Sequence, residues 1–287
     1  MFIELIQQIL NGLVVGSVYT LIALGLTVIF GILGIAHFAH GSVAMFGGYL
    51  THALMQRMGV NILLAMVPAM LVGALLGMLI ERLAYRPVRA GPPINAFIVA
   101  LGLTMVIEKL NLLMFGVDQV VLPTPFGRTL EWGEWAMPEL RIYVFVIAVL
   151  LVLALTLFIH RTWMGASIRA GAQNRSAAVL MGVNVNRVSS IVFALSSALG
   201  VAAGVLIGAL FAIAPGVSGG LVIKGFAVLI LGGLGSIPGA IVGGLILGVS
   251  EALAAGFVSS AYKDVISFVI MIAVLLLRPE GLMRRKT

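Results

Sequence analysis

The sequence predicts an all-α polytopic transmembrane helical bundle of about eight spans with a broken, glycine-rich segment, organised as a single domain over 1–287. Composition is the first observation behind this: 61% of the 287 residues are hydrophobic, only 9% are charged, and the mean hydropathy is +1.19. An ordinary soluble domain carries roughly a quarter charged residues to solvate its surface. Length is the second, because the apolar stretches reach the ~20 residues that carry a helix across a hydrocarbon core about 30 Å thick. Pattern is the third. The stretches lack the period-2 alternation of an outer-membrane barrel, and lipid cannot satisfy the free backbone groups of an open sheet.

The first apolar stretch runs from 5 to 30. Met1 to Gln8 holds no basic flank, and the stretch is too long for a signal-peptide core, so a retained first span is expected. Further spans are expected at 36–56, 61–82, 95–115, 141–160, 188–212, 221–235, 238–257 and 263–278. The segment 221–235 is short and glycine-rich, which leaves the count at eight or nine. Basic residues orient the bundle. Arg82, Arg86 and Arg89, then Arg161, Arg169, Arg175 and Arg187, then Arg278, Arg284, Arg285 and Lys286, form three clusters that the positive-inside rule assigns to the cytoplasm. The formal net charge of +7 is therefore read as a topology signal rather than a nucleic-acid surface. The segment 116–140 carries Asp118, Glu131, Glu134 and Glu139 against Arg128 alone, and parity places it outside as a cap loop. Its Trp132 and Trp135 are expected at the interface, where tryptophan is favoured. The N-terminus then lies outside, with Arg57 on the disfavoured side. Small residues recur at helical spacing: Gly12 and Gly16, Gly73 and Gly77, Gly200, Gly204 and Gly208, and Gly235, Gly239 and Gly243. Close packing of helices within one bundle is their expected role.

Three stretches stand out for function. The segment 163–187 is too polar to span, yet Ile168, Ala172, Val179, Leu180 and Met181 give it apolar positions. It fits either a solvated basic loop or a short cytoplasmic helix on which a partner pushes. Gly232, Gly233, Gly235 and Gly239 fall with Pro238 inside eight residues. A regular helix would not keep that composition, since glycine costs about 1 and proline about 3 kcal/mol relative to alanine. Either a tight cytoplasmic hairpin or a broken helix bordering a transport pathway follows. His37 and His40 sit near a span start, fitting a capping role at the interface or contact with a ligand; Glu108 and Lys109 lie inside the fourth segment; Glu251, in the eighth, is expected to pack between helices with a polar partner. No cysteine is present, so disulfides, thiolate chemistry and cysteine metal sites are excluded, and no catalytic or metal-binding residue is nominated. The G-x-x-x-x-G-K-[ST], H-E-x-x-H and G-x-S-x-G patterns are all missing, so no enzyme activity and no cofactor is expected.

These stretches also carry a resemblance. Ser176-Ala177-Ala178, three residues, then Gly182 resembles the E-A-A-x-x-x-G signature of ABC importer permeases with serine for glutamate. Arg169-Ala170, Gln173-Asn174, Ala177-Ala178 and Gly182-Val183 look like the version found in LivH-type branched-chain amino-acid permeases. His37-Phe38-Ala39-His40-Gly41 is similar to that family's N-F-A-H-G segment, with His37 where asparagine is usual. The stretch from Lys224-Gly225-Phe226 through Leu231 to Ala240 and the R-P-x-G-L close formed by Arg278, Pro279, Gly281 and Leu282 match it too, so the likeness covers nearly the whole chain. The resemblance implies a permease of the bacterial plasma (inner) membrane forming half of the pathway for branched-chain or other small amino acids. It implies as partners a second related permease subunit, cytoplasmic ATPase subunits and a periplasmic substrate-binding protein, within a lipid bilayer and without nucleic acid. It implies that 163–187 is a coupling loop in which Arg169, Ala170, Asn174, Ala177, Ala178 and Gly182 dock to an ATPase subunit. Pathway candidates are His37, His40, Gly41, Gly232, Gly233, Gly235, Pro238 and Gly239. An ion-coupled secondary transporter, or an ABC permease for urea or short amides, are the competing readings.

Overall fold

A computed structural model describes residues 2–132, 135–214, 216–278 and 280–283. Glu134 of the acidic loop, Pro279 of the closing motif, and Arg284, Arg285 and Lys286 of the last basic cluster lie outside the described residues, as do the side chains of Trp132 and Trp135. The helices are α1 (Phe2–Leu33), α2 (His40–Met58), α3 (Ile62–Ile80), α4 (Pro93–Phe115), α5 (Glu139–Arg161), α6 (Trp163–Gln173), α7 (Arg175–Leu180), α8 (Val185–Leu210), α9 (Val217–Gly232), α10 (Ile237–Phe257) and α11 (Lys263–Leu277). A π-turn, Glu81–Tyr85, prolongs α3 to Val88, and a 3-10 turn, Ser260–Tyr262, leads into α11. An antiparallel hairpin of β1 (Thr129–Trp132) and β2 (Trp135–Pro138), pairing Leu130 with Met137, sits between α4 and α5.

Among the described residues, seven helices are long and apolar enough to cross a membrane: α1, α3, α4, α5, α8, α10 and α11 with its leading turn. Two others complete the bundle. The 19-residue α2 is more polar because its His40, Ser42, Tyr49 and Thr51 are buried inside protein rather than facing lipid. The 16-residue α9 spans only about 24 Å at 1.5 Å per residue.

The helices α1 and α8 form the buried centre, with α10 along α1 and with α2 and α3 along α8. Lipid offers no hydrophobic drive for helix association, so close contact must supply it. Glycine permits that contact. A Cβ on Gly16 would meet the Gly244 carbonyl oxygen at 2.7 Å, and one on Gly204 would collide with the Ala44 carbonyl. The glycine series thus packs helices within the chain.

All connections fall at two ends. At one, Val120 pairs with Ile213, the Leu122 amide donates to the Gly208 carbonyl, and the Gln7 side chain donates to the Ala136 carbonyl beside the hairpin. The other end gathers Arg82, Arg86, Arg89, Arg161, Arg169, Arg175, Arg187 and Arg278. There the buried Glu81 accepts from Arg86 at 2.6 Å and from the Ser190 hydroxyl at 2.8 Å, with Arg89 at 3.8 Å. Arg89 also donates to Ser189 and Asn186, so the π-turn ties α3 to α8 at this end.

Candidate functional site

The arginine-rich end carries the helix pair α6–α7. The Thr162 hydroxyl caps α6 by accepting from the Gly165 amide, and the Asn174 side chain caps α7 by accepting from the Ala177 amide at 3.0 Å. The Asn174 amide also donates to the Ala170 carbonyl, so α6 ends where α7 begins. Arg169 donates to the Ile159 carbonyl and pins α6 to the last turn of α5. Gly182 holds φ +84, where a side chain would be strained, and turns the chain toward α8. Ala178 is only 4% exposed, so its methyl supports the pair from within. The exposed apolar groups are instead Trp163 at 88%, Leu180 at 87% and Met181 at 85%, with Val179 beside them. In the sequence Val179, Leu180 and Met181 stand out only as apolar positions, and a hydrophobic run in a polar loop is the signal of their exposure.

The glycine-rich stretch ends α9 and starts α10 at this same end. Gly233 and Gly235 hold φ +103 and +79, and the Ser236 hydroxyl caps α10 by accepting from the Gly239 amide. Pro238 stands in the first turn, where its missing N–H costs nothing. A Cβ on Gly232 would collide with Gly239, so the two helices meet without side chains between them. The break is therefore a tight hairpin turn, one of the two arrangements its composition allows. The amides of Leu282 and Met283 donate to the carbonyls of Leu231 and Gly232, which fastens the closing segment to the turn. A cleft of about 310 Å³ joins the turn to the helix pair, lined by Gly31, Ile168, Arg169, Gly235 and Pro238.

His37, His40 and Gly41 lie apart from that cleft, and the capping role does not hold. Ala39 is the N-cap of α2, with no side-chain cap bond, and both imidazoles are fully buried. His37 Nδ1 bonds the Tyr85 hydroxyl at 2.8 Å within an aromatic cluster that includes Phe193. The His40 ring fills the space left by Gly25 and Gly200, joining α1, α2 and α8. Gly41 abuts the Ser218 carbonyl of α9. Outside the spans, burial and then the Arg175 charge lower the Arg89 pKa, against the pull of Glu81, a mark of crowded positive charge at this end.

Two polar groups lie deeper. Glu251 accepts from Lys224 at 2.5 Å, from the Tyr19 hydroxyl at 2.8 Å and from Ser267, while Lys224 also meets Asp264 at 2.9 Å. The polar partner expected for Glu251 is thus a lysine one helix away. Glu108 accepts from the Ser218 hydroxyl at the start of α9.

Comparison with known proteins follows the same outline. The family model described as "Branched-chain amino acid transport system / permease component" matches residues 8–275. The chain is 38% identical to the high-affinity branched-chain amino acid transport system permease protein LivH of Salmonella typhimurium, covering 99% of this chain and 97% of that protein. It is 38% identical to the corresponding BraD of Pseudomonas aeruginosa over 98% of this chain and 96% of that one. Among solved structures, PsaBC from Streptococcus pneumoniae in complex with Fab superposes with a TM-score of 0.54 at 11% identity, covering 98% of this chain and 97% of that chain, a likeness of fold alone.

Proposed function

This chain belongs to the family of permease components of branched-chain amino acid transport systems, and we propose that it forms half of the pathway by which an ATP-driven importer carries branched-chain amino acids. It is a multi-pass membrane protein, and an importer permease of this family works with ATPase and substrate-binding partners. The observation that carries the proposal is the exposure of Trp163, Leu180 and Met181 on the helix pair α6–α7. Burying one such side chain stabilises an interface by about 1.5–3 kcal/mol, so the triplet is a ready anchor for a groove on an ATPase subunit. Arg175 at the start of α7, with Arg89 near enough to feel its charge, favours an acidic rim on that subunit.

Orientation follows from the charges. The arginine-rich end faces the cytoplasm and the β-hairpin end faces outward, where a binding protein delivers cargo. Closure of the ATPase dimer displaces α6–α7, and the Arg169–Ile159 bond passes that displacement to α5. The turn at Gly233–Ser236 borders the same cleft through Gly235 and Ser236, and the closing segment is bonded to the end of α9, so α9 and α10 move with the pair. A second, related permease completes the pathway against the exposed faces of this bundle.

The test is uptake of radiolabelled leucine by vesicles holding the assembled complex. Leu180→Glu and Met181→Glu are expected to abolish ATP-driven uptake while membrane insertion is unchanged, since each places a carboxylate in the groove. Wild-type rates in both variants would refute the docking role. The ion-coupled reading gains one observation, the Lys224–Glu251–Asp264 cluster, but Lys224 pairs with both carboxylates. Uptake by this chain alone, driven by an ion gradient without an ATPase, would favour it.

A further inference from the structure

A cavity of about 230 Å³ lies between α2, α4 and the start of α9, toward the hairpin end of the bundle. Its lining includes Met45 and Tyr49 of α2, Glu108, Lys109 and Asn111 of α4, and Ser218 of α9. Glu108 sits two turns inside the end of α4, at membrane depth. Among the described residues no basic group forms an ion pair with it. Its carboxylate is held instead by the Ser218 hydroxyl, at the amide end of α9, where a negative charge is favoured. An ionisable group at this depth marks a functional site by default.

Two further side chains at the cavity leave hydrogen-bonding capacity unused. The Tyr49 hydroxyl and Asn111 Oδ1 are buried and have no partner. The Asn111 amide cannot be flipped to relieve this, because its Nδ2 donates to the Ser42 carbonyl at 3.2 Å. The Tyr49 ring is fixed by stacking on Phe115, with centroids 5.5 Å apart and planes 9° from parallel. Buried polar groups are ordinarily paired, so two orphans beside one cavity mark a place where something else supplies the partners. The unused groups are complementary. Glu108 and Asn111 Oδ1 accept, whereas the Tyr49 hydroxyl donates and Lys109 at the rim is cationic.

We propose that this cavity is a way station for the cargo, holding an amino-acid zwitterion by its two charged ends. The ammonium group donates to Glu108 and Asn111, the carboxylate accepts from Tyr49 and Lys109, and the aliphatic side chain lies against Met45 and Leu112. A volume of about 230 Å³ falls below the ~300 Å³ at which pockets for drug-sized ligands begin, and suits a single amino acid. The inference rests on the importer reading above.

Both are separable in one assay, with leucine uptake and binding-protein-stimulated ATP hydrolysis measured on the assembled complex. Glu108→Gln and Tyr49→Phe are expected to lower uptake by about tenfold or more, as loss of a hydrogen bond to a charged group implies, with hydrolysis retained. Glu108→Asp should recover part of the rate. Tyr49→Phe removes an unsatisfied hydroxyl, so poor folding would not account for its loss. Unchanged uptake in both variants overturns the proposal, and so does a loss of hydrolysis in step with uptake, which would assign the residues to assembly. Absence of ATP-driven uptake in the wild type would instead overturn the importer reading.

Discussion

At the scale of single residues, the stability of the membrane-embedded part depends on two paired carboxylates. Replacing Glu251 by alanine strips Lys224 of its closest partner, leaves the Tyr19 hydroxyl unbonded and leaves Ser267 with the Lys263 carbonyl alone. Breaking a buried pair in this way costs about 3 kcal/mol, against about 1 kcal/mol for Tyr19→Phe, which removes one hydrogen bond. Thermal unfolding of the detergent-purified chain should rank the two in that order, and equal midpoints would show that the lysine finds another partner. Glu81 follows the same logic. Arg86→Ala should destabilise more than Glu81→Gln, because the first leaves a fully buried carboxylate with only the more distant Arg89 and the Ser190 hydroxyl, whereas the second leaves arginines that reach solvent. Glu251 was legible in the sequence as a group needing a partner. Lys224 was not legible as that partner, since the two lie 27 residues apart and meet only because the Gly233–Ser236 turn folds α10 back on α9. Tyr49 and Asn111 were unreadable for a different reason: an orphaned atom is defined by what surrounds it, and a sequence shows no surroundings.

At the scale of helices, the spans were legible because length and apolarity alone define them, and α2 was found despite its polar face because 36–56 still reads as one apolar run. The glycine-rich stretch resisted a single reading, since the same composition suits a break within a helix and a turn between two. What decides it is the pairing of Ser236 with the Gly239 amide and of Leu282 with the Leu231 carbonyl, contacts that depend on where α10 and the closing segment go. The helix interfaces make a sharper demand. Gly204→Leu must push α2 from α8, because a Cβ there collides with backbone rather than with a side chain that can rotate away. Overpacking of this kind costs about 2 kcal/mol, and a fall in the thermal midpoint larger than that of an alanine change on the lipid-facing side of α4, such as Leu113→Ala, would register it.

At the scale of the whole molecule, the arginine distribution sets which end faces the cytoplasm, and the absence of cysteine makes that directly measurable. A single cysteine at Leu180 should react with a membrane-impermeant maleimide only in inverted vesicles, and one at Gln119 only in right-side-out cells. The reverse pattern would invert the topology. Adding the ATPase subunit should shield the Leu180 position while leaving Gln119 reactive.

The shortness of α9 has a consequence for the surrounding lipid. A helix of 16 residues falls about 6 Å short of the ~30 Å hydrocarbon layer, and its exposed positions, Val217, Gly220 and Ile223, all lie in its first half, so beside that half acyl chains must bend inward or water must fill the gap. Such mismatch costs a fraction of a kcal/mol per ångström and grows with chain length. Turnover should therefore decline steadily as the complex is moved from short-chain to long-chain phosphatidylcholines, which makes membrane thickness a governor of its rate.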